Sequence, residues 1–263
     1  MSINSHLENI SKEAYISKEE KLSINTSIET LQRRLKLYFS DDLKIHFKFG
    51  SYVRGTILPR SKDRFSDVDY MVVFNDDGKK PQTYLDRLRR FAENYYSRSE
   101  IYQSNPTIVL ELNHIKFDLV PAIEYYSFLE YYKIPAKASS YSDWISTNPS
   151  DFYNVLVEKN KSNKYQIKPL IRVMKYWNAL NGYPFESFDL EKKIVNKNYW
   201  SYSNYILKDY FFDFTISLSD YEFNVSYKNE KIRYLKNKVK NIKNLEKQYP
   251  LLAENELNKL LPL

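Results

Sequence analysis

The sequence predicts an α+β protein, with a mixed sheet-and-helix lobe followed by a helical lobe. Apolar residues recur every three to four positions over residues 18–39, which is typical of an amphipathic helix. Short segments that alternate between apolar and polar residues follow, as far as about residue 120. From about residue 150 the apolar pattern is helical. We therefore expect a first domain over residues 1–150 and a second over residues 151–263.

The elements of the first domain follow from these local patterns. After the helix at 18–39, the predicted elements are a strand over 43–49, a polar loop from Gly50-Ser51, a strand over 68–74, a helix over 82–97 and two strands over 107–112 and 115–120. Asn113-His114 separates the last two strands and predicts a hairpin.

The second domain contains two long apolar stripes at helical spacing. They comprise Ile167, Leu170, Ile171, Met174, Trp177 and Leu180, and then Ile232, Leu235, Val239, Ile242 and Leu245. Pro169 is compatible with the first helix because it lies in the first turn. The segment 228–247 also contains seven Lys and one Arg. Its outer face could bind nucleic acid, but we favour a Lys-rich surface that serves solubility.

Composition restricts the chemistry. With 40 Lys and Arg against 33 Asp and Glu, the net charge is +7, which suits a polyanionic ligand or a solubilising surface. There is no Cys, so disulfides, iron–sulfur clusters and cysteine zinc sites are excluded. The three His, at positions 6, 46 and 114, are scattered. Any metal should therefore be a hard ion on oxygen ligands, such as Mg²⁺ or Mn²⁺.

No segment of the sequence suggests a membrane. The first 15 residues are polar and lack the apolar region of a signal peptide. The longest apolar run, Tyr70–Phe74, has the length of a strand rather than of a membrane span. We therefore expect a cytoplasmic protein without a membrane partner.

Three aspartates are the candidate chemical groups. Asp67 and Asp69 are two positions apart at the start of a strand, so they point to the same face. Asp118 interrupts an apolar strand, where a buried carboxylate is costly without a counter-ion. A metal would compensate, and carboxylates on neighbouring strands can hold two ions for phosphoryl transfer. The alternative for the first pair is a solvated strand end or a turn cap.

Gly50-Ser51 is a candidate phosphate-binding turn. Glycine permits close approach of the backbone to a phosphate, and the following hydroxyl and N–H groups can bind its oxygens. Taken alone, such a pair after a strand is usually just a turn. Its position ahead of Asp67 and Asp69 favours the functional interpretation.

These motifs together resemble the nucleotidyltransferases of the DNA polymerase β superfamily. The closest likeness is to the bacterial cGAS/DncV-like group, the CD-NTases of the SMODS type. The segments that carry the resemblance are Gly50-Ser51-Tyr52-Val53-Arg54-Gly55-Thr56, Ser66-Asp67-Val68-Asp69, Phe117-Asp118-Leu119-Val120-Pro121, Lys168–Trp177 and Phe185–Glu191. The last of these is similar to the S-[FY]-x-L-E segment of the group.

The resemblance implies a polymerase β-like palm and a C-terminal helical lobe, with the active site in the cleft between them. In the implied site, the catalytic residues Asp67, Asp69 and Asp118 bind two Mg²⁺ or Mn²⁺. Gly50 and Ser51 bind the triphosphate. Lys175 and Ser187 contact phosphate, and Phe188 stacks on a base. Lys168, Arg172 and Lys175 share one helix face, which could meet a triphosphate or could simply be solvated. Without the resemblance, Phe188 would be taken as a core residue.

The implied function is the joining of nucleoside triphosphates (ATP, GTP or pyrimidine nucleotides) into a cyclic dinucleotide or oligonucleotide, with release of pyrophosphate. The family makes second messengers in bacterial antiphage (CBASS) signalling, so a separate effector protein should read the product. We expect a monomer. We also expect no obligatory nucleic acid, because the chain lacks the Cys/His zinc insertion by which the animal cyclic GMP-AMP synthase grips DNA.

Two alternatives remain. A related transferase could modify RNA, tRNA or a protein, in which case binding of a nucleic-acid acceptor should depend steeply on salt. A nucleotide-binding regulator without turnover is disfavoured, because all three aspartates are present.

Overall fold

The chain is described by a computed structural model over residues 2–104, 106–126, 131–136, 143–199 and 206–263. It divides into two compact units, which we call the sheet unit and the helical unit. The sheet unit comprises Ile16–Arg60 and Arg64–Asn154, and the helical unit comprises Met1–Tyr15, Ser61–Asp63 and Val155–Leu263.

The architecture is α+β, as the sequence predicts. The helices are α1 (Ile3–Glu13), α2 (Lys18–Phe39), α3 (Gly50–Arg54), α4 (Pro81–Tyr95), α5 (Pro149–Ser162), α6 (Ile167–Leu180), α7 (Ser187–Asn196), α8 (Leu207–Ser217), α9 (Ser226–Leu245) and α10 (Pro250–Leu260). The strands are β1 (Leu43–Lys48), β2 (Asp67–Phe74), β3 (Glu100–Ser104), β4 (Thr107–Glu111), β5 (Lys116–Tyr126), β6 (Tyr131–Pro135) and β7 (Trp144–Thr147).

The seven strands within the described ranges form one mixed sheet in the order β1-β2-β5-β4-β3, with β6 paired to β5 and β7 paired to β6. β2 and β5 are parallel, whereas the other pairs are antiparallel. The predicted hairpin is present between β4 and β5, where the Leu112 N–H donates to the Ile115 carbonyl at 2.9 Å. β5 continues past the predicted end at residue 120, and its second half pairs with β6.

The two faces of the sheet differ in what covers them. Val68, Tyr70, Val72 and Phe74 of β2 pack with buried residues of α2 and α4 in the main core of this unit. The alternate residues of β2 point to the opposite face, where Met71 and Val73 form a smaller apolar cluster with Ala122 and Tyr132. Asp67 and Asp69 share this second face, so their carboxylates stay out of the main core.

A tight turn connects β1 to the segment before β2. Gly50 has φ +69° and begins α3, a short helix in place of the predicted loop start. The Ser51 carbonyl accepts hydrogen bonds from the N–H groups of Thr56 and Ile57 at 3.0 and 3.1 Å, which closes the turn. The Phe49 N–H donates to the Asp69 carbonyl at 3.0 Å. The turn is thereby fixed against the start of β2.

The first helix belongs to the helical unit. Ile3, Leu7 and Ile10 on one face of α1 are buried, and a ring nitrogen of His6 lies 2.8 Å from the Leu261 carbonyl oxygen. The sequence predicts a first domain that begins at residue 1, whereas the structure groups Met1–Tyr15 with the helices of the second half. The polar composition of this segment hid its narrow apolar stripe.

The helical half agrees with the two apolar stripes in the sequence. α6 contains the first stripe with Pro169 in its first turn, and Ile167, Leu170 and Trp177 are fully buried. α9 contains the second stripe, and it packs with α8 and α10. Among the described ranges, no helix has both the length and the apolar character needed to cross a bilayer.

We predict that Gly50→Ala destabilises the protein more than Gly78→Ala. Both glycines have positive φ, +69° and +71°, so alanine at either position costs about 1 kcal/mol in backbone strain. A Cβ at Gly50 would also lie 1.8 Å from the Asp69 Oδ2, whereas a Cβ at Gly78 would meet nothing within 4 Å. Denaturant unfolding should show a loss roughly 2 kcal/mol larger for Gly50→Ala. Equal losses would contradict the close approach of Gly50 to Asp69.

Candidate active site

The parallel pairing of β2 and β5 gathers the three aspartates. Asp69 lies directly opposite Asp118, and Asp67 lies opposite Lys116. Side chains of register partners in a sheet point to the same face, and those two apart on a strand do so as well. Asp67, Asp69 and Asp118 therefore project from one face of the sheet, in agreement with their spacing in the sequence.

Asp118 is the most constrained of the three. Its side chain is 20% exposed, and its buried Oδ1 accepts no hydrogen bond from any residue within the described ranges. Burial, followed by the charge of Asp67, raises the pKa of Asp118 to about 7, although Lys116 opposes the shift. The ionised form of this carboxyl therefore needs more positive charge than Lys116 supplies.

Lys116 lies among the carboxylates, and our sequence analysis missed it. Its Nζ is 3.3 Å from the Asp67 Oδ2 and 3.8 Å from the Asp118 Oδ1. Burial, the largest single influence, lowers the pKa of Lys116, but Asp67 and Asp118 together outweigh burial and leave that pKa raised. The alternation that assigns Asp118 to the polar face of β5 also assigns Lys116 to it, so the signal was present in the sequence.

Gly50 and Ser51 adjoin the aspartates. The backbone at Gly50 packs so closely on the Asp69 side chain that no Cβ would fit, and Ser51 is buried. A cavity of about 130 Å³ lies beside this turn, lined by Phe47, Lys48, Phe49, Gly50, Val53, Arg54, Pro149, Ser150 and Tyr153. It is smaller than the roughly 300 Å³ or more of typical small-molecule sites, so it could accommodate part of a ligand but not a whole nucleotide.

The residues on this face fit a divalent cation in donor chemistry and in charge. Carboxylate oxygens are the ligands that Mg²⁺ and Mn²⁺ prefer, and the Asp118 Oδ1 is buried without a hydrogen bond from the described residues. Within those residues, no three Asp, Glu or His side chains already converge as a complete ligand set. Instead, the Lys116 ammonium contacts the carboxylates of Asp67 and Asp118.

Lys175, on α6 of the helical unit, is buried in an ion pair. Its Nζ lies 3.3 Å from the Glu191 Oε1, and Glu191 on α7 is fully buried. On the same helix, Arg172 donates to the carbonyl and hydroxyl of Ser11, both at 3.0 Å, and burial lowers the pKa of Arg172 to about 10. Burial is the main influence that lowers the pKa of Lys168, and the positive charge of Arg172 lowers it further. The alternative of an ordinary solvated helix face is therefore wrong.

Ser187 and Phe188 begin α7. Ser187 is half-buried, and Phe188 is 46% exposed with the Lys192 ammonium 4.9 Å from its ring centroid. Phe188 is therefore not a core residue. The buried Asn178, which our sequence analysis also missed, fixes the turn before α7: its side chain donates to the Phe185 carbonyl at 2.9 Å and accepts from the Phe185 N–H at 3.0 Å.

The helical unit also contains a groove of about 770 Å³. It is lined by Phe185, Asp189, Lys192, Lys193, Asn196, Lys197, Phe214, Ser217, Leu218, Ser219, Glu222 and Phe223. Each of its three lysines already pairs with a carboxylate, namely Lys192 with Asp189, Lys193 with Glu222 and Lys197 with Asp213. We therefore do not place the catalytic chemistry in this groove, although it is the larger cavity.

Comparison with solved structures shows the fold. The structure of CdnC from Escherichia coli MS115-1 with ATP matches with a TM-score of 0.73 at 14% identity, over 100% of this chain and 98% of that one. The CD-NTase CdnG of Bradyrhizobium diazoefficiens in complex with GTP matches with a TM-score of 0.71 at 9% identity, over 98% of both chains. The polymerase β-like nucleotidyltransferase fold predicted from the sequence is confirmed.

Comparison of sequences identifies the family. A Bacillus cereus (strain VD146) protein, named as a probable cyclic nucleotide synthase, is 26% identical over an alignment 217 residues long that covers 67% of this chain. The chain spans 62% of the length of that relative. Residues 1–160 match the family described as the Second Messenger Oligonucleotide or Dinucleotide Synthetase domain, SMODS. Since this match covers more than half of the 263 residues, the chain belongs to the SMODS domain family.

Proposed function

We propose that this protein is a nucleotidyltransferase that joins nucleoside triphosphates into a cyclic dinucleotide or oligonucleotide and releases pyrophosphate. The observation that carries the proposal is the face formed by Asp67, Asp69 and Asp118 beside the Gly50 turn, in a chain of the SMODS family. The substrates would be ATP, GTP or pyrimidine triphosphates. The product would be read by a separate effector in bacterial antiphage signalling, and the enzyme would act as a monomer.

The sheet unit would hold the reacting groups. In this proposal, Asp67, Asp69 and Asp118 bind two Mg²⁺ or Mn²⁺. When bound, these ions would lower the pKa of the attacking ribose hydroxyl and neutralise the leaving pyrophosphate. Gly50 and Ser51 would bind the triphosphate through backbone N–H groups and the Ser51 hydroxyl, and the missing side chain at Gly50 lets this turn lie directly beside the Asp69 carboxylate.

The helical unit would contribute phosphate and base contacts, as the family resemblance implies. Lys175 and Ser187 would contact phosphate, and the exposed ring of Phe188 would stack on a base. Glu191 restricts the position of the Lys175 ammonium, because the two side chains form a buried ion pair at 3.3 Å.

The direct test is to incubate the purified protein with the four labelled triphosphates and Mg²⁺ or Mn²⁺, and to resolve phosphatase-resistant products. Cyclic product from nucleotides alone would support the proposal. Label transferred only when RNA, tRNA or a protein acceptor is added would indicate the alternative transferase. Nucleotide binding without any product would indicate a regulator.

We predict that Asp69→Asn abolishes product formation in a folded protein. The substitution keeps the shape of the side chain but removes a charge needed to hold the cations. The measurement is the rate of product formation, with circular dichroism as the check on folding. A variant that kept more than about a tenth of the wild-type rate, which is a loss below ~1.4 kcal/mol, would contradict the assignment.

We predict that Asp118→Asn raises the melting temperature of the metal-free protein more at pH 8 than at pH 5. Burial, followed by the charge of Asp67, raises the pKa of Asp118 from 3.8 to about 7 in the folded state, so the stability contributed by the protonated carboxyl is complete below pH 3.8 and is lost progressively as pH rises to about 7. At pH 5 only part of that stability has been lost. The gain at pH 8 should be at least roughly 3 °C, which corresponds to about 1 kcal/mol. An equal change in melting temperature at both pH values would contradict the raised pKa of Asp118.

We predict that Lys175→Ala raises the KM for the preferred triphosphate about tenfold and changes kcat much less, because the ammonium would bind phosphate in the ground and transition states alike. The substitution also leaves the buried Glu191 without its partner, which can itself destabilise the fold. The double variant Lys175→Ala/Glu191→Gln is therefore the matched control. An unchanged KM in both variants would exclude Lys175 from phosphate binding.

We predict that long double-stranded DNA or RNA is not needed for turnover. Lys240 and Lys243 on α9 and Lys247 just after its end are exposed, whereas Lys236 on α9 donates to Asp220 and to the Leu218 carbonyl. Reversing charge at the three exposed positions, rather than at Lys236, should leave synthesis within about twofold, and binding of duplex should fade between roughly 50 and 200 mM salt. Stimulation that grows with duplex length and disappears in the triple variant would show an activating nucleic-acid site.

A further inference from the structure

Lys116 places a positive charge among the carboxylates of the candidate active site. It lies opposite Asp67 in the β2–β5 register, and its side chain is 15% exposed. Its Nζ lies 3.3 Å from one carboxylate oxygen and 3.8 Å from another, on two different aspartates. An ammonium this close to both occupies space that a cation bound to the same two oxygens would need.

We propose that Lys116 is a built-in counter-ion that holds the aspartates together before a metal ion binds and that must be displaced when it does. This inference rests on the proposed function, because it takes Asp67, Asp69 and Asp118 as the metal-binding residues. Lys116 is then a positioning residue, which acts through the carboxylates rather than on the substrate.

The charges on this face explain why such a residue is needed. Three ionised carboxylates on adjacent strands repel one another, and the partial burial of Asp118 strengthens the repulsion. One ammonium offsets part of this charge and leaves a net negative group that still attracts a divalent cation. The buried Asp118 Oδ1, which accepts no hydrogen bond from the described residues, is one of the two oxygens that Lys116 and a cation would share.

Lys116 and a divalent cation compete for these carboxylate oxygens, and this competition couples the binding of the metal to the binding of the nucleotide. A bare divalent cation would have to displace the ammonium, whereas a cation that arrives with a triphosphate also brings anionic oxygens that can pair with the displaced Lys116. Metal and nucleotide should therefore strengthen each other's binding, and part of this coupling should depend on Lys116.

The test compares Lys116→Met with Lys116→Arg, which keeps the charge. Lys44→Met is the matched control, because Lys44 forms an ion pair with Glu124 in the same sheet. Glu124 lies eight residues further along β5 than Lys116, roughly 26 Å at 3.3 Å per residue. The measurement is Mn²⁺ affinity without nucleotide, from the paramagnetic resonance signal of free Mn²⁺.

We expect Lys116→Met to bind Mn²⁺ at least tenfold more tightly than the wild type, with Lys116→Arg and Lys44→Met within about twofold of it. Adding Asp118→Asn to Lys116→Met should abolish the gain, which would locate the ion at the aspartates. With a non-hydrolysable ATP analogue present, the wild-type affinity for Mn²⁺ should rise by a larger factor than that of Lys116→Met. Equal Mn²⁺ affinity in the wild type, Lys116→Met and Lys116→Arg would overturn the proposal.

Separate control experiments test whether the Lys116 variants fold and whether the protein is active. Lys116→Gln is a second neutral variant. If both neutral variants stayed unfolded at every Mn²⁺ concentration while Lys116→Arg folded, the proposal would be overturned, because a metal could then not replace the ammonium. The Mn²⁺ measurements need no turnover, so a tightened affinity in a protein that makes no nucleotide product would contradict the proposed function alone. Product formation with unchanged Mn²⁺ affinities would contradict only the role of Lys116.

Discussion

The parallel register of β2 and β5 is the constraint on which the rest of the site depends, because it sets Asp69 directly opposite Asp118. Carboxylates so close together on a partly buried face destabilise the sheet by repulsion and desolvation. The opposite face offsets this cost, since Val68 and Tyr70 alternate with the aspartates and are fully buried against α2 and α4. β2 therefore stabilises the fold through the apolar residues on one face and presents the aspartates on the other face.

Two neighbouring features follow from that register. The chain must pass close to Asp69 on its way out of β1, and a glycine at position 50 is the residue that leaves room for the carboxylate. The charge also needs a local cation, and Lys116 lies where the strand alternation brings it to the same face. Gly50, Asp69 and Lys116 are thus linked by packing and charge, so a change at one alters the surroundings of the others.

Sequence reasoning predicted the parts of the structure that depend on local periodicity. The helix predicted over residues 18–39 is α2, with the same bounds, and the candidate aspartates followed from strand alternation. β3 was missed because it is a five-residue strand that is largely exposed, and β6 and β7 are similarly short. The Lys175–Glu191 pair could not be predicted, because the two residues lie on different helices and meet only after the helices pack.

The candidate phosphate contact in the helical unit and the candidate metal site in the sheet unit share one feature, a lysine that already pairs with carboxylate side chains. Lys175 is held by the buried Glu191, and Lys116 is held by Asp67 and Asp118. In each case an incoming phosphate would have to compete with a carboxylate that already pairs with the ammonium. Binding of a triphosphate would therefore depend on whether these two lysines exchange their carboxylate partners for phosphate. The net charge of +7 would matter less, since it is spread over a surface where many lysines already pair with carboxylates.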